Sequence, residues 1–300
     1  MTAVAITPRS FRQTPGEHHE RLAAAGLEVR FPGADRPLSE AEMIDLVRGC
    51  DGLVVGVDPV TEAVLRAGPL HVVVKYGSGL DNVDLEAAQR LGVTVRATPG
   101  ANARSVAELT VALLLALARN VALHDRSVRA GSWSRRAGFE LAGRRLGLIG
   151  YGAVGREVAG IARALGMEVV AHDPLLAAAD VELVGIDEVL GSSDAVSLHL
   201  PLTEETRGLI GRRELGLMRP GALLINTARG GLVDEAALAE VLRSERLGGA
   251  ALDVFAHEPP SGSPLLDLDS FVASPHAGAA TLEAARRAST AALDELLAAL

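Results

Sequence analysis

The feature that most constrains the fold is a glycine motif that directly follows an apolar strand. Residues 146–155 read Leu-Gly-Leu-Ile-Gly-Tyr-Gly-Ala-Val-Gly, which sets Gly-x-Gly-x-x-Gly between a predicted strand and a predicted helix. In such a turn Gly150 permits the tight bend, Gly152 lets a pyrophosphate approach the main chain, and Gly155 lets the helix pack on the strand. The helix N-terminus adds unpaired N–H groups that attract an anion. The motif therefore predicts a parallel α/β sheet that binds a dinucleotide.

An acidic residue stands where such a site needs one. The next predicted strand, 168–172, is followed by Asp173, eighteen positions after Gly155. An acidic side chain there accepts hydrogen bonds from the ribose hydroxyls of the adenosine half. It would repel a 2′-phosphate, and Leu175 and Leu176 follow where a compensating Arg or Lys would be needed. The sequence predicts NAD rather than NADP.

Strands and helices alternate along the rest of the chain, which predicts an α/β fold with doubly wound parallel sheets. A length of 300 residues and a hydrophobic content of 48% are sufficient for two domains. Strands are predicted at 4–7, 53–57, 72–75, 146–150, 168–172, 195–198, 223–226 and 250–253; helices are predicted at 19–25, 234–243 and 281–300, after a capping box at 39–42, and as one long helix from 105 to about 130.

Composition excludes several other classes of function. The chain has 29 basic and 38 acidic residues, a net charge of −9, which is the wrong sign for binding nucleic acid. Its single cysteine, Cys50, forms no internal disulfide, and no Cys/His spacing indicates a metal site. The first thirty residues lack the apolar core of a signal peptide, and the apolar run 111–118 is too short to span a membrane. We expect a soluble, cytoplasmic protein with a small-molecule substrate.

Three later segments place an ionisable side chain after or near a predicted strand, at the edge where open α/β sheets bind ligands. Arg229 would grip a carboxylate with two hydrogen bonds and polarise the C2 oxygen. His276 would take the hydroxyl proton as hydride leaves, while Glu258 holds the imidazole. Together they predict hydride transfer at a 2-hydroxy acid, although each residue alone is compatible with an ordinary structural role.

These segments carry a family resemblance that extends over nearly the whole chain. The matching stretches are 150–155, 227–235 (Thr-Ala-Arg-Gly-Gly-Leu-Val-Asp-Glu), 251–255 (Ala-Leu-Asp-Val-Phe), 258–259 (Glu-Pro) and 274–278 (Ser-Pro-His-Ala-Gly), together with 80–84, 106–109 and 198–202. The chain resembles the NAD-dependent D-isomer-specific 2-hydroxyacid dehydrogenases, and among them the phosphoglycerate dehydrogenases most.

The resemblance implies Arg229, Glu258 and His276 as catalytic residues. It implies a Rossmann-type nucleotide domain at 100–276, inserted in a flavodoxin-like substrate domain formed by 1–99 and 277–300, and a homodimer made through the nucleotide domains. Feedback through a C-terminal regulatory domain is not expected. The residues implied near the dinucleotide are Gly150, Gly152, Ala153, Val154, Gly155, Asp173, Pro201, Thr227, Ala228, Arg229, Asp253, His276 and Gly278.

A cluster of cations gives a prediction about the substrate. Lys75 ends a predicted strand, Arg9 follows the first strand and Arg104 opens the long helix. All three are expected to face an interdomain cleft in an otherwise acidic protein. This predicts a phosphate or phosphonate on the substrate, as in 3-phosphoglycerate. The predicted substrate-binding residues are Arg9, Lys75, Tyr76, Gly77, Ser78, Arg104 and Arg229. Solvated surface charges are the alternative, and Lys75, where these enzymes often carry Arg, leaves the substrate open.

Two other functions remain compatible with the sequence. One is reduction of glyoxylate, hydroxypyruvate or another 2-keto acid. The other, from a different class, is an NAD-sensing binding protein similar to the transcriptional corepressors that keep this fold. Among the remaining residues, His18 and His19 are expected to begin a helix in solvent, and Tyr151 and Trp133 are expected to pack rather than take part in chemistry.

Overall fold

A computed structural model describes residues 2–300, which divide into two compact units. The split unit consists of the described residues up to Asn102 together with Ala279–Leu300, and the inserted unit is Ala103–Gly278. These boundaries lie three and two residues further along the chain than the predicted ones.

Strands and helices alternate in both units. The strands are β1 (Ala3–Ile6), β2 (Glu28–Arg30), β3 (Gly52–Val55), β4 (Val72–Lys75), β5 (Thr94–Ala97), β6 (Arg145–Ile149), β7 (Glu168–His172), β8 (Glu182–Leu183), β9 (Ala195–Leu198), β10 (Leu223–Asn226), β11 (Gly249–Leu252) and β12 (Phe271–Ala273). The helices are α1 (Arg9–Gln13), α2 (Glu17–Ala24), α3 (Glu40–Val47), α4 (Glu62–Arg66), α5 (Leu85–Leu91), α6 (Ala103–Ala118), α7 (Val121–Arg129), α8 (Ala153–Ala164), α9 (Ile186–Ser192), α10 (Arg212–Leu217), α11 (Glu235–Arg243) and α12 (Leu282–Ala299).

The split unit is built on a five-stranded parallel sheet in the order β2-β1-β3-β4-β5. Every residue of β1, β3 and β4 is buried, because helices cover both faces of the sheet. These strands accordingly read as apolar runs, except for Lys75 at the end of β4. The order reverses between β1 and β3, as in flavodoxin-like folds. The flavodoxin-like architecture predicted for this unit is confirmed.

The inserted unit is built on a seven-stranded parallel sheet in the order β12-β11-β10-β9-β6-β7-β8. The chain starts at β6, proceeds to one side through β7 and β8, and returns to the other side at β9. The order therefore reverses between β6 and β9, which is the point where doubly wound sheets bind dinucleotides. The Rossmann-type fold predicted for this unit is confirmed.

The prediction of one long helix from 105 to about 130 is wrong. Two helices occupy the region, α6 ending at Ala118 and α7 beginning at Val121, and they are bent by 65°. Asn120 between them has φ 53°, a left-handed conformation that Asn tolerates better than most residues and that no α-helix can continue through. In residues 2–300 no single helix is sufficiently long and apolar to cross a membrane. The bent pair α6 and α7 together has the length and composition of a membrane span, and no other observation supports one.

Candidate active site

Apart from Arg104 in α6, the functional residues predicted for the inserted unit lie on loops or helix starts that follow the carboxyl ends of its strands. Because all seven strands are parallel, these loops share one edge of the sheet. The edge carries the glycine turn after β6, Asp173 after β7, Pro201 after β9, residues 227–229 after β10, Asp253 after β11 and residues 274–278 after β12.

The glycine turn has the geometry that a pyrophosphate needs. Gly150 has φ 94°, and a Cβ there would lie 2.4 Å from the carbonyl oxygen of His199. A Cβ at Gly155 would lie 2.5 Å from the carbonyl oxygen of Gly150, whereas one at Gly152 would stand in open space. No side chain caps α8, which begins at Ala153, so its first N–H groups face that space. The residues present fit the phosphates of a dinucleotide.

Asp173 is oriented by two main-chain donors. The N–H of Tyr151 donates to Oδ2 at 2.8 Å, and the N–H of Leu175 donates to Oδ1 at 3.0 Å. A carboxylate has about four acceptor positions, so each oxygen can accept one more hydrogen bond. The carboxylate beside the glycine turn therefore suits two ribose hydroxyls.

His276 and Glu258 form the central contact of the site. Nδ1 of His276 lies 2.8 Å from Oε2 of Glu258, and the side chains are 44% and 39% exposed. Oε1 of Glu258 accepts from the N–H of Phe255 at 3.1 Å, which fixes the carboxylate from its other side. When Nδ1 carries the proton and donates it to Glu258, Nε2 is left with a lone pair. Both residues line a cavity of about 390 Å³, together with Phe255, Pro259, Pro260, Ala273, Ser274 and Pro275.

Asp253 positions the loop that carries His276. The main chain of His276 is left-handed, with φ 53°, and its N–H donates to the carbonyl of Asp253 at 2.8 Å. The buried carboxylate of Asp253 accepts from Ser274 Oγ at 2.6 Å and from the N–H groups of Ala277 and Gly278, both at 2.8 Å. These bonds on both sides of His276 hold it in a conformation that few non-glycine residues adopt. The structure thus assigns Asp253 a supporting role, while its predicted contact with the dinucleotide stays a prediction.

Arg229 is carried on a loop that packs closely on the Glu258 segment. Asn226 braces this loop, because its side-chain amide donates to the carbonyl of Arg229 at 2.8 Å and its Oδ1 accepts from the N–H of Ala228 at 3.0 Å. A Cβ at Gly230 would lie 1.9 Å from the carbonyl carbon of Phe255, so only glycine allows this approach. The structure brings Arg229, Glu258 and His276 to adjoining loops of one unit, as predicted.

His199 is a second histidine at this edge, after β9. Its Nε2 lies 2.9 Å from Ser197 Oγ, and burial lowers the pKa of His199 to about 3. The ring is therefore neutral at physiological pH and cannot easily accept a proton, which leaves His276 as the candidate base. Thr227, predicted near the dinucleotide, is mostly buried, with its hydroxyl 2.8 Å from that of Thr110 in α6.

Four of the predicted substrate residues, Lys75 to Ser78, lie at the end of β4 in the split unit or directly after it. Lys75 is 7% exposed, and its ammonium donates to Asn82 Oδ1 at 2.6 Å and to the carbonyl of Gly56. The N–H of Gly77, which has φ 125°, donates to Thr98 Oγ1, and Ser78 is exposed. Lys75 is thus a buried cation and not the solvated charge of the alternative interpretation.

Three further residues have the following surroundings. Tyr76 donates its hydroxyl to the carbonyl of Ala285 in α12 at 2.9 Å. Arg9 is exposed, at the start of α1, and donates to the carbonyl of Asp35. Arg104 belongs to the inserted unit, where Glu108 and Glu157 hold its guanidinium and raise its pKa. Two carboxylates therefore already neutralise the charge of Arg104.

Sequence reasoning missed two residues that support the site, Asn226 and Ser274. Both are polar side chains at or just after the end of a strand, and Asn226 is completely buried. A polar residue that closes an apolar strand was the available signal. Trp133, expected to pack, is 79% exposed, whereas Tyr151 is buried as expected. In the described part of the chain, no group of three or more His, Cys, Asp or Glu side chains is arranged to hold a metal ion.

The inserted unit matches a known family. Residues 111–278 match the model of the "D-isomer specific 2-hydroxyacid dehydrogenase, NAD binding domain". This match confirms the predicted NAD cofactor.

Relatives of known name are similar over most of the chain. Hydroxypyruvate reductase from Thermotoga maritima is 45% identical over 259 residues, which are 83% of this chain and 85% of the relative. D-3-phosphoglycerate dehydrogenase from Methanocaldococcus jannaschii is 40% identical over 269 residues, 86% of this chain but 51% of the relative, so this chain spans about half of that protein. Among solved structures, TT0316 protein from Thermus thermophilus is 40% identical with a TM-score of 0.92, covering 99% of this chain and 96% of that one.

Proposed function

The chain belongs to the family of D-isomer-specific 2-hydroxyacid dehydrogenases, as its motifs predicted, and we propose that it interconverts a D-2-hydroxy acid and its 2-oxo acid with NAD. The observation that carries this proposal is the 2.8 Å contact between His276 Nδ1 and Glu258 Oε2, on the same sheet edge as Arg229 and the glycine turn. The cofactor, when bound, would take up the hydride as NAD in oxidation and would supply it as NADH in reduction.

His276 is the proton carrier in this proposal. In the oxidation direction, Nε2 of His276 accepts the hydroxyl proton as the C2–H bond breaks, and the imidazole becomes charged. Glu258 then faces a positive ring through Nδ1 and stabilises that charge. In the reduction direction, the same nitrogen returns the proton to the oxygen at C2.

Arg229 binds the substrate in this proposal. Its planar guanidinium suits the carboxylate that every 2-hydroxy acid carries, and one N–H is already oriented by the carbonyl of Ala228 at 2.7 Å. Replacing it with Lys removes the two-pronged geometry but keeps a positive charge. We therefore expect Arg229→Lys to raise the KM for the 2-oxo acid more than it weakens NADH binding.

We further propose a substrate with a second anion, such as 3-phosphoglycerate. The support is Lys75, a cation that is 7% exposed at the end of β4 and whose ammonium is oriented by hydrogen bonds to Gly56 O and Asn82 Oδ1. The D-3-phosphoglycerate dehydrogenase among the relatives agrees with this substrate class. Hydroxypyruvate is the second candidate, since a relative that is 45% identical over 83% of this chain is named hydroxypyruvate reductase.

A panel of matched substrates separates the candidates. NADH absorbance is followed with 3-phosphoglycerate and D-glycerate in oxidation, and with phosphohydroxypyruvate, hydroxypyruvate and glyoxylate in reduction. The proposal expects a higher kcat/KM for the phosphorylated member of each pair, and Lys75→Met should reduce that preference. Equal efficiencies within each pair, or a preference that Lys75→Met leaves unchanged, would refute the second anion.

The same panel tests the proposed reaction itself. A chain that binds NADH but turns over none of these acids, nor pyruvate, is an NAD-sensing binding protein and not a dehydrogenase. His276→Ala serves as the control, because any true turnover should fall with it while NADH binding persists.

A further inference from the structure

Tyr151, the residue between the first two glycines of the turn, makes two separate contacts with one neighbouring segment. Its main-chain N–H donates to Oδ2 of Asp173 at 2.8 Å. Its side chain is 1% exposed, and its hydroxyl donates to Oδ1 of Asp180 at 2.7 Å. One residue of the phosphate-binding turn is thus bonded to both ends of segment 173–180.

Asp180 is in turn fixed by α8. Arg163 donates from Nη1 to Oδ2 of Asp180 at 2.8 Å and from Nη2 to its main-chain carbonyl at 2.5 Å. The guanidinium of Arg156 lies 4.8 Å from the centre of the Tyr151 ring and 3.7 Å from Oδ1 of Asp180. The far end of the segment is therefore anchored by a side chain and a main-chain contact to the helix that begins at the glycine turn.

The ionisation of the pair suits these contacts. Hydrogen bonds from Arg163 and Tyr151 lower the pKa of Asp180 to about 2, so it remains a charged acceptor. Burial, together with the hydrogen bond to Asp180, raises the pKa of the Tyr151 phenol, so it remains a donor. Both groups therefore have the ionisation that this contact requires at neutral pH.

The anchored loop lies where the adenosine half of NAD is expected. It begins directly after Asp173, the predicted ribose acceptor, and its residue Leu175 is 92% exposed. An exposed leucine next to a ribose acceptor offers an apolar surface to a flat base. Holding this loop before the ligand arrives lowers the ordering cost of binding.

We propose that Tyr151 is a positioning residue for the adenosine half of NAD, which acts by tying the loop 174–179 and the Asp173 carboxylate to the glycine turn through Asp180. The inference rests on dinucleotide binding by this unit and not on which acid is the substrate. Tyr151 touches no reacting atom in this proposal. Loss of its hydroxyl weakens binding of the dinucleotide and leaves the rate of the chemical step unchanged.

The test measures binding of ADP-ribose, which contains the adenosine half and no nicotinamide, by calorimetry of the full chain. Tyr151→Phe removes only the hydroxyl, and Asp180→Ala removes the acceptor from an exposed position. We expect each to weaken ADP-ribose and NADH by about 3- to 10-fold, the range that one hydrogen bond supplies. The double variant should bind ADP-ribose with the same affinity as the single variant that binds it less tightly, because both substitutions break the same contact.

Asp187→Ala is the matched control, because it also removes an exposed carboxylate that pairs with an arginine, Arg213, away from the glycine turn. It should bind ADP-ribose like the unmodified chain, and kcat at saturating NAD should be unchanged in all variants. Unaltered ADP-ribose binding in Asp180→Ala, or a fall in kcat at saturating NAD without a loss of binding, would overturn the proposal. If Tyr151→Phe does not fold, Asp180→Ala decides alone. Absent turnover with every acid would refute the proposed reaction and leave this binding result interpretable.

Discussion

His276 Nδ1 lies 2.8 Å from Glu258 Oε2, although the two residues follow different strands and are separated by eighteen positions in the chain. The contact selects one ring nitrogen for Glu258 and leaves the other for substrate. Glu258 is itself fixed by the N–H of Phe255, so the acid, the base and their supporting loops form one assembly. This arrangement leads to a first prediction about catalysis.

Replacing Glu258 with Gln should lower kcat and leave NADH binding nearly unchanged. The amide can still accept from Nδ1, but it no longer opposes the charge that His276 gains during oxidation. We expect kcat to fall by roughly 10²-fold, which is the lower end of the contribution of a positioned proton-transfer group. The kcat of His276→Ala should fall further. Steady-state kinetics at saturating NAD, with NADH fluorescence for binding, measure both. An equal loss of NADH affinity would contradict the assignment.

Asp253→Asn should destabilise the inserted unit and reduce activity together. The buried carboxylate accepts three hydrogen bonds, and an amide would turn its NH₂ group towards at least one of the same donors. We expect a loss of about 2–4 kcal/mol in the free energy of unfolding, since a buried donor is left without an acceptor. Ser274→Ala, which removes one of the three bonds, should cost about 1 kcal/mol. Urea unfolding compares them, and equal effects of the two variants would contradict this role of Asp253.

Asp173→Asn should reduce the preference for NAD over NADP. The substitution removes the negative charge that repels a 2′-phosphate, while one side-chain oxygen remains to accept from Tyr151 or Leu175. We expect the ratio of kcat/KM for NAD to that for NADP to fall by about 10-fold, corresponding to roughly 1.4 kcal/mol. Kinetics with both cofactors provide the measurement. If the ratio does not move, the carboxylate does not contact the ribose.

The sequence predicted the central strands better than the edges of the sheets. Four strands went unpredicted, β2, β5, β8 and β12, and each is an edge strand of its sheet. An edge strand pairs on one side only, and these four are two to four residues long and partly exposed. They therefore lack the continuous apolar run that identified β3 or β10. The break at Asn120 was missed for a related reason, because apolar spacing continues across it.

The candidate site was predictable as far as its chemistry is local in sequence. The glycine turn, Asp173 and the strand ends each stand in a short segment with its own signal. The hydrogen bonds of Asp253 around His276 join residues 21 to 25 positions apart, and the hydroxyl of Tyr151 reaches Asp180 across twenty-nine positions. Such contacts depend on how loops fold over a sheet edge, which periodicity and spacing do not report.

His18 corrects a prediction about the split unit, because it was expected in solvent and is completely buried. Its ring lies 4.8 Å from that of Phe11, and Nε2 is 3.0 Å from the carbonyl oxygen of Phe11, to which the neutral ring donates. Among the described residues Nδ1 has no hydrogen-bond partner. Burial lowers the pKa of His18, and the neighbouring His19, 4.2 Å away between ring centres, acts in the same direction.

The lowered pKa of His18 predicts a loss of stability in acid. Between pH 6.5 and the pKa of His18 in the folded state, the unfolded chain binds a proton that the folded chain does not. The contribution of neutral His18 to the free energy of unfolding is therefore fully present above pH 6.5 and is lost as the pH falls.

His18→Gln keeps a donor for the carbonyl of Phe11 and cannot titrate. From pH 7 to pH 5, we expect the free energy of unfolding to fall less steeply in His18→Gln than in the unmodified chain. The two slopes should differ by up to about 1.4 kcal/mol per pH unit. Urea unfolding at pH 7, 6 and 5 tests this against His71→Gln, which replaces an exposed histidine of the same unit. Identical pH slopes in the unmodified chain and His18→Gln would show that His18 does not titrate on unfolding.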